Sequence, residues 1–152
     1  MARIVFALFL SLVFAFANQV EISAEHFFAD EKKGENVLSG NVVVKRDKDI
    51  LYASKLVVMT NKKRKATKYI ATGNTRFEII LQDKLYKGSG DELIYDVSSD
   101  SYEINGNASV EETQSKKKVT GDKIFIDRKQ EVYSVISNEQ KPAKFVFELE
   151  EK

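Results

Sequence analysis

The chain contains no cysteine. Disulfides, thiolate metal ligands and thiol nucleophiles are therefore excluded, and any stable fold must rest on its apolar core. There is a single histidine, His26, so a histidine-built zinc site is not expected, and we expect no metal. A Ser-His-Asp set would have to use His26, yet no G-x-S-x-G nucleophile elbow occurs. A Walker-type phosphate loop is missing as well. Carboxylates are plentiful, so a glycosidase-like pair is not excluded by counting. Neither sign of charge dominates: Lys and Arg total 24, Asp and Glu 23. That balance gives no bulk attraction to nucleic acid. The basic clusters Lys62-Lys63-Arg64-Lys65 and Lys116-Lys117-Lys118 have no interleaved aromatics of the kind that stack bases. No catalytic residue, no cofactor and no nucleic acid are expected.

Long apolar runs are also absent, with one exception. Ile4 to Ala17 carries no charge and follows Met1-Ala2-Arg3. The run has the length of a signal-peptide core and falls short of the roughly 20 residues that span a bilayer. It ends in Ala15-Phe16-Ala17, a small-x-small cleavage pattern, which predicts cutting between Ala17 and Asn18. The competing reading is an uncleaved anchor, as in a membrane-anchored subunit. Residues 18–152 form one domain-sized unit, expected to be soluble.

Proline is limited to Pro142 and glycine to seven positions, and clean helical periodicity is missing throughout. What is present is strand-like. Short runs of β-branched and aromatic residues alternate with polar ones, as at Val42–Lys45, Leu56–Met59, Thr75–Ile79, Leu93–Asp96, Lys123–Asp127 and Phe145–Leu149. Polar clusters separate them: Asp30–Gly34, Arg46–Asp49 and Ser98–Asp100 read as hairpin loops. The prediction is an all-β, mainly antiparallel domain.

The sequence also repeats. Gly-Asn occurs at Gly40-Asn41, Gly73-Asn74 and Gly106-Asn107, a step of 33 residues each time. Between these fall Tyr52–Leu56, Gly90–Leu93 and Gly121–Ile124. A fixed period predicts stacked supersecondary units. A glycine inside each strand pattern predicts a bulge or bend at the same level of every layer. The result is an elongated, layered structure, a jelly roll or short solenoid. Asp91 and Asp122 sit in the second repeated element and are read as strand-entry residues rather than catalysts.

The ordered set of motifs resembles the OstA-like, LptA-type lipopolysaccharide-transport family. The matching segments are Val20–Ser23, Leu38–Val44, Ala53–Thr60, Gly73-Asn74 with Arg76-Phe77, Gly88–Asp96, Ile104–Ala108 and Val119–Ile124. The likeness covers roughly residues 20–136, and the lysine-rich stretch from Asn61 to Ala66 departs from it. It implies an elongated antiparallel β-jelly roll over 18–152, open along one side. It also implies a periplasmic location, lipid A acyl chains held between two sheets, and head-to-tail stacking of copies through edge strands. The implied partners are lipopolysaccharide, a subunit of an inner-membrane export complex and an outer-membrane translocon.

Period-two alternation supplies candidates for an inward apolar strip. Phe77 and Ile79 share one face, Leu93, Tyr95 and Val97 another, and Val20 and Ile22 correspond to the family's first strand. Val42, Val44, Ile104 and Ile124 complete the candidate groove. The alternative is that these residues form a dry sandwich core. The lysine clusters either meet lipid phosphates at a groove rim or are solvated loops. Val20 and Ile22 at one end, and Phe145, Phe147 and Leu149 at the other, are the candidate partner edges. The opposing reading pairs both strands inside the domain, blunted by Glu148 and Glu150. A rival function is a structural envelope protein that binds only proteins.

Overall fold

A computed structural model describes residues 20–149. The predicted signal segment and its cleavage point at Ala17 and Asn18 lie outside the described residues. Ten strands follow in order: β1 Val20–Ser23, β2 His26–Asp30, β3 Glu35–Arg46, β4 Asp49–Thr60, β5 Ala66–Leu81, β6 Lys84–Asp96, β7 Ser101–Glu112, β8 Lys117–Asp127, β9 Val132–Ile136 and β10 Lys144–Val146. All pairings are antiparallel, in one sheet of order β1-β3-β4-β5-β6-β7-β8-β10. β2 pairs with the first half of β3, and β1 with its second half. At the other end β10 pairs with the first half of β8, and β9 with its second half. Among the described residues no helix occurs.

The repeat explains the shape. Gly40-Asn41, Gly73-Asn74 and Gly106-Asn107 lie in the middle of β3, β5 and β7, and all six residues have positive φ. The pairing register slips at each of them: between Ser39 and Val42, Thr72 and Thr75, and Asn105 and Ala108. Two residues of the odd strand face one of the next even strand, namely Ser54, Asp91 or Asp122. These are β-bulges, and each bends its strand. Stacked at one level, they fold the sheet along a common corner. One repeat of 33 residues is thus one up-and-down pair of long strands. The second repeated element is not a strand entry, as the sequence suggested. Ser54, Asp91 and Asp122 lie mid-strand, opposite the bulges. Asn107 donates from Nδ2 to both Asp91 carboxylate oxygens, at 3.5 and 3.3 Å, and Asn41 donates to Glu25.

Folding at the corner gives two facing walls. The first carries Glu35–Ser39, Lys55–Thr60, Ala66–Thr72, Glu92–Asp96, Ser101–Asn105 and Asp122–Asp127, with β2 and β9. The second carries the other half of each long strand, with β1 and β10. Between them lies the core, with Leu38, Val42, Leu56, Val58, Ile104 and Ile124 almost wholly buried. Each such aliphatic side chain is worth about 1.5–3 kcal/mol on burial. An exposed ion pair such as Arg64–Glu31 at 3.7 Å is worth about 0–1 kcal/mol. The core near the corner therefore holds the walls together.

One expected strand is shorter than the sequence suggested. Of Phe145–Leu149, only Phe145 and Val146 fall in β10. Val146 already faces Lys118, and β8 begins at Lys117, so its partner strand runs out.

Candidate functional site

Away from the corner the walls part around a cavity of about 740 Å³. The floor is apolar: Val44, Leu51, Phe77 and Ile79 come from the second wall, Ala71 and Leu93 from the first. Register shows why they meet. Ile22, Val44, Leu51, Phe77, Gly88, Val110, Val119 and Phe145 are successive cross-strand partners, and so share one face. Residue 88 has to be small: a Cβ there would stand 2.0 Å from Cζ of Phe77, the tip of whose ring occupies the space beside the glycine.

The opposite wall carries a second row. Val58, Tyr69, Tyr95, Tyr102 and Ile126 are partners across five strands. Tyr69 and Tyr95 rings are 6.1 Å apart, Tyr95 and Tyr102 4.6 Å, within the range of favourable tilted contacts. The Tyr95 hydroxyl donates to Asp100 at 2.9 Å. Burial, then that bond, then the neighbouring Tyr102 and the Asp100 charge push its pKa up to about 12. Burial also raises Tyr69. These hydroxyls stay neutral, as suits side chains in a largely apolar wall.

Charge is confined to the mouth. Arg46, at the tip of the second wall, pairs with Asp49 at 3.6 Å and reaches Tyr102 of the first wall. Burial lowers its pKa, but Tyr102, Tyr95 and Asp49 together outweigh that and hold it above the ordinary value. Across from it Arg64, Lys65 and Lys68 line the rim from the β4–β5 hairpin. The other basic cluster, Lys116–Lys118, does not border the cavity. Among the described residues no three metal-ligating side chains converge.

Of the candidate groove residues, Val20, Val44, Phe77, Ile79, Leu93, Tyr95 and Val97 line the cavity. Val42, Ile104 and Ile124 do not; they are buried beside the corner, where the walls close on each other. Ile22 packs partly buried against the core at the β1 edge. Thr75, also at the corner, is buried with its hydroxyl unpartnered.

The first and last strands of the sheet path, β1 and β10, each have one side without a strand. The ends differ in character. β9 exposes Val132, Tyr133, Val135 and Ile136; beyond it Phe145, Phe147 and Leu149 are 61, 51 and 82% exposed. At the other end only Phe28 is comparably bare.

The sheet thus folds into an open β-jelly roll whose cavity is lined by β1 and β3 to β7. Residues 21–132 match the family described as LptA/(LptD N-terminal domain) LPS transport protein. The chain belongs to this family. The fold agrees: the crystal structure of LptH, the LptA homologous periplasmic component of the conserved lipopolysaccharide transport device from Pseudomonas aeruginosa, superposes with a TM-score of 0.72. Identity is 17%, and the alignment covers 87% of this chain and 95% of LptH. A comparison with curated proteins gives no match. Family membership and the open sheet agree with the fold expected from the repeated motifs.

Sequence reasoning had not selected Tyr69, Tyr102, Arg46, Leu51 or Ala71. The signal was present. Asn36, Tyr69 and Tyr102 each lie four residues before a Gly-Asn glycine, and Val44, Phe77 and Val110 four residues after one. The repeat marks the rows, provided the bulge is taken as the origin.

Proposed function

We propose that this chain is a periplasmic bridge that receives lipopolysaccharide from an inner-membrane export complex and hands it to an outer-membrane translocon. It acts as a carrier, not an enzyme. The observation that carries this reading is the apolar row from Ile22 to Phe145, which crosses the sheet from its first strand to its last. The cavity of about 740 Å³ stands on this row, and the row ends at an edge strand on each side, Ile22 of β1 and Phe145 of β10, where a next unit can continue it. Each acyl methylene moved from water into such a strip gains about 0.8 kcal/mol, so the chains supply most of the affinity.

Head-to-tail assembly follows from the ends. β1 and β10 are different edges of one sheet, and pairing one with the other repeats without closing, which builds an open filament. The exposed apolar side chains of β9 and of residues 145–149 are then covered by the first strands of the next unit. The lipid partner, the subunits at either membrane and the periplasmic location all belong to this proposal.

Depletion in the native cells tests the function. Newly made lipopolysaccharide is expected to stay in the inner membrane; arrival at the outer membrane at the normal rate refutes the bridge. The absence of native cysteine allows a clean test of assembly. Cysteine pairs scanned over β1 and β10 should give a ladder of disulfide-linked oligomers, and a monomer at every pair would refute edge pairing.

A further inference from the structure

The two basic clusters of the sequence look alike, but the fold separates them. Lys116–Lys118 lies at a far hairpin and at the start of β8. The β4–β5 hairpin stands at the cavity mouth, and three of its cations, Arg64, Lys65 and Lys68, line the rim above an apolar floor. We infer that this hairpin is an anion clasp: Arg64 and Lys65 hold a phosphate of an acylated lipid whose chains lie in the cavity. The inference rests on the lipid-carrier reading proposed above.

The hairpin is built to hold those side chains in place. Asn61 Oδ1 accepts from the backbone N–H of Lys63 at 2.9 Å and of Lys65 at 3.1 Å. Its backbone bonds Arg64 and Lys65 as well, with Arg64 N donating to Asn61 O at 2.8 Å and Asn61 N donating to Lys65 O at 3.0 Å. Arg64 takes a left-handed backbone, φ 62, which turns the chain so that residues 64 and 65 face the cavity. The balance of charge at the rim also favours an anion. Asp96 is spent on Ser98 Oγ and Ser99 N, at 2.8 and 3.1 Å, and stands opposite Lys68 in the register. Asp49 is engaged with Arg46. Arg64 has only Glu31, an exposed partner at 3.7 Å, and Lys65 has no ion pair among the described residues. A phosphate, with its several acceptor oxygens, suits an arginine fork beside a lysine. An acylated phosphate can come from a phosphorylated glycolipid or from a phospholipid.

The test measures binding of three probes to the whole mature protein: bisphosphorylated lipid A, the same lipid with both phosphates removed, and phosphatidylglycerol. The variants are Arg64→Gln with Lys65→Gln, and Lys117→Gln with Lys118→Gln as a control for net charge. The clasp predicts that the first pair weakens lipid A binding about tenfold, leaves the dephosphorylated lipid unchanged, and removes most of the salt dependence. The control pair changes none of these. An equal loss for both forms of lipid A, or no loss for either, overturns the clasp while leaving the carrier reading intact. Equal dependence of phosphatidylglycerol on Arg64 and Lys65 supports a clasp that reads phosphate whatever its backbone; independence supports one committed to the glycolipid. Failure of the unaltered protein to bind any acylated probe overturns clasp and carrier together.

Discussion

Replacing Gly88 by alanine offers a sharp test of how the cavity floor is built. The new Cβ would lie 2.0 Å from Cζ of Phe77 and 2.4 and 2.7 Å from the two Cε atoms. Carbon atoms settle at about 3.5–4.0 Å, so the ring must retreat by roughly 1.5 Å. Phe77 is only 5% exposed, and the space free to it is the cavity it lines. The substitution should therefore cost about 1–3 kcal/mol, as overpacking does, and narrow the cavity. Gly88 is not among the glycines with positive φ, so the backbone itself accepts alanine and gains about 0.4–1 kcal/mol from a less flexible unfolded chain. The sign should then reverse when the ring is gone. In a Phe77→Ala background, Gly88→Ala is expected to be neutral or stabilising by up to about 1 kcal/mol. Urea unfolding of the four proteins gives the coupling, expected at about 2–3 kcal/mol. The same cost in both backgrounds would refute the contact as the reason for the glycine.

Gly106→Ala tests the corner: φ is 77 and a Cβ would meet Asp91 Oδ2 at 2.3 Å, so a loss of about 2 kcal/mol in urea unfolding is expected. Asn107→Gly should cost less than about 1 kcal/mol, because its positive φ suits glycine and only the long bonds to Asp91 are lost. The tyrosine row predicts alkaline sensitivity. Tyr95 ionises at about 12 in the fold and near 10 when unfolded, so its contribution is fully present below pH 10 and is lost as pH rises toward 12. Tyr95→Phe should make the pH dependence of stability shallower over that window, and a wild-type stability curve with no fall there contradicts the burial argument. Ile104→Ala, at 0% exposure, should destabilise by about 2–5 kcal/mol in denaturant unfolding, whereas Ile94→Ala on the outer face should cost much less.

Much of this fold was legible because its units repeat. Alternation identified strands, and the equally spaced Gly-Asn pairs located the bend, since two consecutive left-handed residues inside a strand leave little else. The strand limits were less legible at the C-terminus: Phe147 and Leu149 continue the alternation of Phe145, but β8 begins at Lys117, one residue beyond the partner of Val146, and the ladder ends there. The site was legible in part. Period two assigns a residue to a face and says nothing of depth along the strand. Val42, Ile104 and Ile124 share a face with Val44 and Tyr102, which line the cavity, yet they are buried. Leu93 pairs with Ile104 and still lines the cavity, so what decides is the facing wall, which the alternation does not report. The lysine clusters were indistinguishable in sequence because the difference between them is tertiary: one hairpin tip faces the opposite wall across the mouth, and the other does not.

The central claim is that lipopolysaccharide travels between the two walls. Site-specific photocrosslinking in cells tests it most directly, with the photoactivatable residue placed at Phe77, Ile79 and Tyr95 inside, and at Glu78 and Ile94 outside. Ile94 is an apolar control, so hydrophobicity alone cannot produce the pattern. The account predicts lipopolysaccharide adducts at the three inner positions and none at the two outer ones. Adducts at Ile94 as strong as at Tyr95, or none at any position in an exported and folded protein, would contradict it.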